Sequence, residues 1–384
     1  MTLEVTRKKL SKVVTAFFNH DEQSLKLPKS GIERAFFNHL QALRSQRKNR
    51  NVFRGKPRFE LRGYPVYSIA SPPFRSAIHK NLLINEFLHK KDRLIQPSVT
   101  VAVTYQCRYH CAQCYISEYY DPSRKELSAD EFGAAFRKIA DALFVWHFDI
   151  TGGEPLEDPR FFEKIGRIPP AKATAIVATN GLSIDRTMIS AIKRSNIMAC
   201  KISLDVYAGL RSRAMQKALD SIGLLTRHKV LTFAQIFIAR GFSRYYDLEA
   251  VVSLCRKAGA VFVNLISPMA VGNLKGHPEM FLSDEERRYI YFLKARLWRQ
   301  YGYQIVVFPD WALLFFKKCC AADGRVYVSP YGDIYPCNFI PTAYGNVLTD
   351  DIKRVILRMR KDIPETDHCF STNSSLAALK ALTV

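Results

Sequence analysis

The chain has 384 residues, 48% of them hydrophobic and 24% charged, which is ordinary globular composition and enough to bury a large core. Its 18 glycines and 18 prolines exclude a collagen-like or linker-like chain, and no stretch approaches the ~18 consecutive apolar residues of a membrane-spanning helix. A formal net charge of +22 points either to an anionic partner (nucleic acid, phospholipid headgroups or an acidic peptide) or to a solvated basic surface. Met1–Leu10 has charges but no apolar core of a secretory signal, so a cytoplasmic location is expected.

Residues 1–95 read as a basic accessory region, mainly helical. The pentapeptide Ala-Phe-Phe-Asn-His occurs at Ala16–His20 and again at Ala35–His39, which predicts two similar helices. Between Gln41 and Arg62 stand eight basic residues, Arg44 and Lys48 among them, against the single acid Glu60. The Phe pairs Phe17–Phe18 and Phe36–Phe37 suit a helical core or, with the basic run, an anionic lipid surface.

From residue 96 the pattern becomes alternating strands and helices. Val99, Val101 and Val103 recur at strand period. Ser128-Ala-Asp-Glu131 is a capping box, followed by Phe132, Phe136, Ile139 and Leu143 at helical spacing. Strands are expected at Phe144–Ile150, Thr174–Ala178, Ile197–Leu204, Thr232–Ile238 and Ala260–Ile266, with helices at Asp185–Ser195 and Leu210–His228 between them. Alternation of this kind means parallel βα units, about six of them, too few for a closed eight-unit barrel. A second capping box, Ser283–Glu286, opens a further helix towards Gly302. The expected division is an accessory region over 1–95, an α/β partial barrel over 96–305 and a small α+β region over 306–384.

Seven of the nine cysteines fall in two groups. The first is Cys107-Arg-Tyr-His-Cys111-Ala-Gln-Cys114-Tyr115, directly after the first strand and so at the edge where parallel sheets bind ligands. Three thiols could serve a zinc with a fourth ligand, His110 being at hand, or an iron–sulfur cluster in which one iron lacks a protein ligand. The second group is Cys319, Cys320, Cys337 and Cys369. Cys200 and Cys255 stand apart and read as core thiols.

The spacing Cys-x3-Cys-x2-Cys followed by an aromatic residue resembles the signature of the radical S-adenosylmethionine (SAM) superfamily. Supporting segments follow in order. Gly152-Gly153-Glu154-Pro155 resembles the motif that holds the SAM amino group, and Ser203-Leu204-Asp205 the segment for its ribose and carboxylate. Asn180 is similar to a further polar pocket residue, and Ile266–Gly272 to the segment that brackets the adenine. The resemblance implies a partial (β/α)6 radical SAM barrel. It implies a [4Fe-4S] cluster on Cys107, Cys111 and Cys114 whose fourth iron is chelated by SAM, with Tyr115 beside it. An external low-potential donor of the flavodoxin or ferredoxin type would reduce the cluster. Reductive SAM cleavage would then give a 5′-deoxyadenosyl radical that takes a hydrogen atom from the substrate.

The spacing from Cys320 through Gly332 to Cys337 resembles the auxiliary-cluster regions called SPASM and twitch. The resemblance implies a hairpin turning at Gly332 and one auxiliary cluster on Cys320, Cys337 and Cys369, with Cys319 either a further ligand or a buried thiol. The dense later cysteine run of a full SPASM domain is absent. Peptide or protein side-chain modification is the expected function. The alternatives are modification of a lipid or other anionic small molecule, with the chain peripheral at a membrane surface, and a non-catalytic iron–sulfur carrier.

Overall fold

The computed structural model describes residues 3–18, 32–38, 40, 59–61, 64–66, 73–88, 98–204, 209, 211–372 and 375. The chain divides into two compact units: residues 1–97 with 139–147 and 169–173, and the remainder.

In the first unit, α1 (Leu3–Phe18), α2 (residues 32–38) and α3 (Ala77–Leu88) accompany a short hairpin of β1 (Phe59–Leu61) and β2 (Tyr64–Val66). Leu10, Val13, Val14 and Phe18 lie at helical spacing on α1 and share one buried cluster with Phe36, Leu83 and Ile84. The two copies of the Phe-Phe motif meet there, Phe17 and Phe37 edge to face at 6.0 Å. The aromatic pairs are therefore core, not a lipid-facing stripe. All eight basic residues of the run, from Arg44 to Arg58 and at Arg62, lie outside the described residues, as do His20 and His39. Among the described residues no helix is long and apolar enough to cross a membrane.

The second unit is built on a sheet of ten strands: β3 (Ser98–Ala102), β4 (His147–Thr151), β5 (Thr174–Thr179), β6 (Ile197–Leu204), β7 (Leu231–Phe237), β8 (Phe262–Ile266), β9 (Gln304–Phe308), β10 (Tyr327–Val328), β11 (Asp333–Tyr335) and β12 (Gly345–Asn346). Their order is β12-β11-β10-β3-β4-β5-β6-β7-β8-β9. From β5 to β9 each neighbour pairs parallel, for example Ile202 opposite Ala234 and Asn264 opposite Val306. The helices α4 (Ala129–Leu143), α5 (Phe161–Gly166), α6 (Arg186–Arg194), α7 (Arg213–Arg227) and α8 (Leu248–Ala258) supply the crossovers that parallel strands require. Both expected capping boxes form. Ser128 and Glu131 exchange backbone-to-side-chain bonds at the start of α4, and Ser283 and Glu286 do so at the start of α9 (Asp284–Tyr301).

All six strands expected in this region are present, and the sheet continues at both ends. At one end, α9 returns the chain to β9, whose Ile305 and Val307 are buried and pair beside Val263 and Leu265. At the other, β10 pairs parallel with β3, Tyr327 opposite Thr100, and antiparallel with β11. The C-terminal hairpin thus extends the sheet at the strand that leads into the first cysteine group. Gly332 makes its turn at φ +86°, a value that favours glycine.

Phe136 of α4 is fully buried with its ring 4.7 Å from that of Phe148 on β4. Phe136→Ala leaves a cavity under the sheet, and we expect it to lower stability by about 3–5 kcal/mol, read from the shift in a urea unfolding midpoint.

Candidate active site

The segment after β3 carries Cys107, Cys111 and Cys114 in a loop with little regular structure, the first two exposed and the third half-buried, all as free thiols. Backbone contacts hold it from two sides. On one side, the Gly153 amide donates to the Thr104 carbonyl at 2.8 Å and the Glu154 amide to the Gln106 carbonyl at 3.1 Å. A Cβ on Gly152 would overlap the Thr104 carbonyl, and one on Gly153 would overlap that of Gln106. The close approach that these glycines permit is to the cysteine loop itself. On the other side, the Asn273 amide donates to the Cys114 carbonyl at 3.0 Å and its Nδ2 to the Cys111 carbonyl at 2.9 Å. Ser117 Oγ holds the Asn273 side chain at 2.7 Å. Gly272, at φ +58°, packs so tightly on Cys114 and Tyr115 that a Cβ would overlap their backbone.

Glu154 is only 3% exposed. Its carboxylate accepts from Thr179 Oγ1 at 2.6 Å, the Asn180 amide at 2.8 Å and the Leu156 amide at 3.1 Å. Burial pushes this carboxyl up, and the three donors oppose the shift. The side chain thereby ties the end of β4 to the end of β5. Asn180 is half-buried, with its Oδ1 accepting from the Leu182 amide at 2.8 Å.

Beside the loop lies a cavity of about 250 Å³. Its wall includes Gln113 and Tyr115 from the loop, Asp149 and Thr151 from β4, Lys201 and Ser203 from β6, and Ile266 with Ser267 at the end of β8. Tyr115 places its hydroxyl 3.3 Å from Thr151 Oγ1. Lys201 and Asp149 form an ion pair in the wall. Of the residues expected to bind SAM, Tyr115, Ser203 and Ile266 line this cavity, and Glu154 and Asn180 are bonded to each other behind it. Asp205 lies outside the described residues. Lys201, Asp149 and the Gly272–Asn273 clamp escaped sequence reading. The lone signal was a lysine at mid-strand among otherwise apolar neighbours.

The three thiols of the first loop suit an iron–sulfur cluster. They are reduced and share one short segment, and Cys107 and Cys114 are near enough for the charge of one to raise the other. Burial is the larger cause that pushes the Cys107 thiol up, opposed by the Tyr109 amide donating to its sulfur at 3.4 Å. Bound iron would reverse that direction, because a cation favours the thiolate. Among the described residues no three His, Cys, Asp or Glu side chains converge on a point as a lone metal ion requires. In a four-iron cluster each thiolate binds its own iron, so such convergence is not needed.

The second group is assembled by several ties. The Cys320 carbonyl accepts from the amides of Gly324 at 2.9 Å and Arg325 at 3.0 Å, which makes a tight turn, and the Ala322 amide donates to the Pro336 carbonyl at 2.8 Å. Asp323 pairs with Lys318 at 2.6 Å and with Arg360 of α10 (Ile352–Asp362) at 3.1 Å. The Cys319 amide reaches the Thr366 carbonyl at 2.9 Å, drawing the Cys369 segment inward. Cys319, Cys320, Cys337 and Cys369 consequently act on one another electrostatically. Burial pushes the Cys337 thiol far up; a backbone hydrogen bond at Phe339 opposes the shift, and these neighbours add to it. Cys200 and Cys255 are instead isolated in the core, where burial pushes both thiols up to about 12.

A buried aromatic layer adjoins both groups. Tyr115 and Tyr119 stand 6.1 Å apart by ring centroids, and Tyr119 and Tyr335 5.0 Å. The Tyr105 and Tyr327 hydroxyls bond to each other. Burial pushes these hydroxyls up, that of Tyr335 to about 12.

The description of the radical SAM superfamily matches residues 101–258, the stretch from β3 through α8 that contains the cysteine loop. Residues 101–258 are a radical SAM domain. The chain is accordingly an enzyme, and the cofactors of its superfamily are SAM and a [4Fe-4S] cluster. An AdoMet-dependent heme synthase of Nitratidesulfovibrio vulgaris is 23% identical over 279 residues, 64% of this chain and 74% of that protein. A PqqA peptide cyclase of Bradyrhizobium diazoefficiens is 23% identical over 263 residues, 65% of this chain and 68% of its own. The structure of Streptococcus suis SuiB bound to precursor peptide SuiA shares the fold at TM-score 0.59 and 13% identity, over 85% of this chain and 77% of that one.

The radical SAM domain depends on glycine where its loop is clamped. We expect Gly272→Ala to strain the clamp by about 1–3 kcal/mol and to lower the iron retained after anaerobic reconstitution. Gly276→Ala also stands at positive φ but with nothing within 4 Å of the added carbon, so it should retain iron close to the unaltered protein.

Proposed function

We propose that this radical SAM enzyme modifies a side chain of a peptide or protein substrate. The cluster and SAM, when bound, supply a 5′-deoxyadenosyl radical that abstracts hydrogen from an unactivated carbon. Cys107, Cys111 and Cys114 would hold the cluster, and Tyr115, Ser203 and Ile266 would wall the SAM chamber. Glu154 would keep the β4 and β5 ends in register, and the enclosing sheet would exclude water from a reactive species. Cys320, Cys337 and Cys369 with Cys319 would hold an auxiliary cluster, and a low-potential flavodoxin or ferredoxin would deliver the electron.

The observation that carries the peptide reading is the gathering of Cys319, Cys320, Cys337 and Cys369 on a chain whose fold matches SuiB with its precursor peptide and whose sequence resembles a PqqA peptide cyclase. Co-expression with the short reading frames flanking its gene, followed by mass spectrometry, tests it. A peptide that loses hydrogen or gains a cross-link only when Cys107 is intact supports the reading. SAM cleavage with every such peptide unaltered counts against it.

The two cysteine groups should separate in assay. Under anaerobic conditions with SAM and dithionite, Cys107→Ala is expected to abolish 5′-deoxyadenosine formation. Cys337→Ala should lower bound iron and substrate turnover while SAM cleavage persists.

A further inference from the structure

The cavity wall carries two cations, and they are placed differently. Lys201 is neutralised by Asp149, with both side chains largely buried. Arg325, also in the wall, forms no ion pair with a carboxylate among the described residues. Its guanidinium lies 4.2 Å above the Phe308 ring and its side chain bonds to Cys320, so it is held in place by groups other than a carboxylate. The wall around it has unmet hydrogen-bonding capacity. Ser267, 1% exposed, is fixed by its amide donating to the Phe308 carbonyl at 2.9 Å, and its Oγ is buried without a partner. The side-chain oxygens of Asn338 and Asn264, also in the wall, are buried without partners. Buried polar atoms of this kind are costly unless a ligand or water meets them.

We propose that Arg325, Ser267 and Asn338 form a subsite for a carboxylate of the substrate. A guanidinium stacked on a ring presents a planar fork that matches a carboxylate in two bonds. The Ser267 hydroxyl can donate to the same group. Asn338 can too, because its amide can turn either end to the ligand. Asn264, farther along the wall towards Gln235 at 3.4 Å, leaves an acceptor for an N–H of the same ligand. This assignment rests on the peptide reading for its source, an acidic side chain or chain end, although the carboxylate chemistry holds for a small acid as well.

The test uses the anaerobically reconstituted, SAM-loaded enzyme and titrates three probes by calorimetry: N-acetyl-glutamate methylamide, N-acetyl-glutamine methylamide and glutarate. The blocked glutamate should bind about tenfold or more tightly than the blocked glutamine. Arg325→Gln should erase that preference, and Ser267→Ala, away from the cysteines, should reduce it. Glutarate binding as well as blocked glutamate, with the same dependence on Arg325, upholds the subsite and turns the source from peptide to small acid. Absence of discrimination, or discrimination that survives both substitutions, overturns the proposal. So does an Arg325→Gln protein whose affinity for SAM falls as steeply as its affinity for blocked glutamate, since Arg325 would then anchor the SAM carboxylate.

Discussion

The loop that carries Cys107, Cys111 and Cys114 has few hydrogen bonds of its own, and its shape is imposed by neighbours. The Gly152–Glu154 segment and the Gly272–Asn273 segment each lay backbone against it, one on the side of Thr104 and Gln106, the other on the side of Cys111 and Cys114. Both contacts are too close for a side-chain carbon. The loop leaves β3, the first clamp follows β4 and the second follows β8, so strand register fixes the loop without helical or sheet structure inside it. The cavity borders the same loop and inherits its position.

Two buried charged groups near that loop are answered within the protein. Glu154 is buried but meets three donors, and Lys201 meets Asp149. The tyrosines near the two cysteine groups keep their protons because burial penalises the phenolate. Such a layer fills space with large rings; the Tyr105 and Tyr327 hydroxyls satisfy one another, while that of Tyr119 is buried without a partner. It includes Tyr115, next to Cys114 of the first group, and Tyr119, whose hydroxyl feels Cys337 of the second.

Much of this was legible in the sequence because it is local. Capping boxes at Ser128 and Ser283 and the valine alternation before Cys107 are patterns within a few residues, and each became the element expected. The turn at Gly332 is of the same kind. What escaped is set by pairing across long separations. Nothing local tells that Gln304–Phe308 joins Phe262–Ile266, or that Tyr327 lies beside Thr100. The role of Gly272 depends on Cys114, far away in sequence, and the Lys201–Asp149 pair on two strands being brought to one cavity. Gly153 was legible as a position of close approach, but not the partner approached.

The parallel pairing of β10 with β3 has a consequence for how the molecule could be divided. The Thr100 amide is satisfied by the Val326 carbonyl at 2.9 Å, across a gap of more than two hundred residues in sequence. Cut away everything after α9, and β3 becomes a bare border with dangling amides and carbonyls, open to recruitment by strands of other molecules. The segment that begins the first cysteine loop would then be the part most prone to clumping. The C-terminal hairpin is thus a seal on that border as well as a carrier of cysteines.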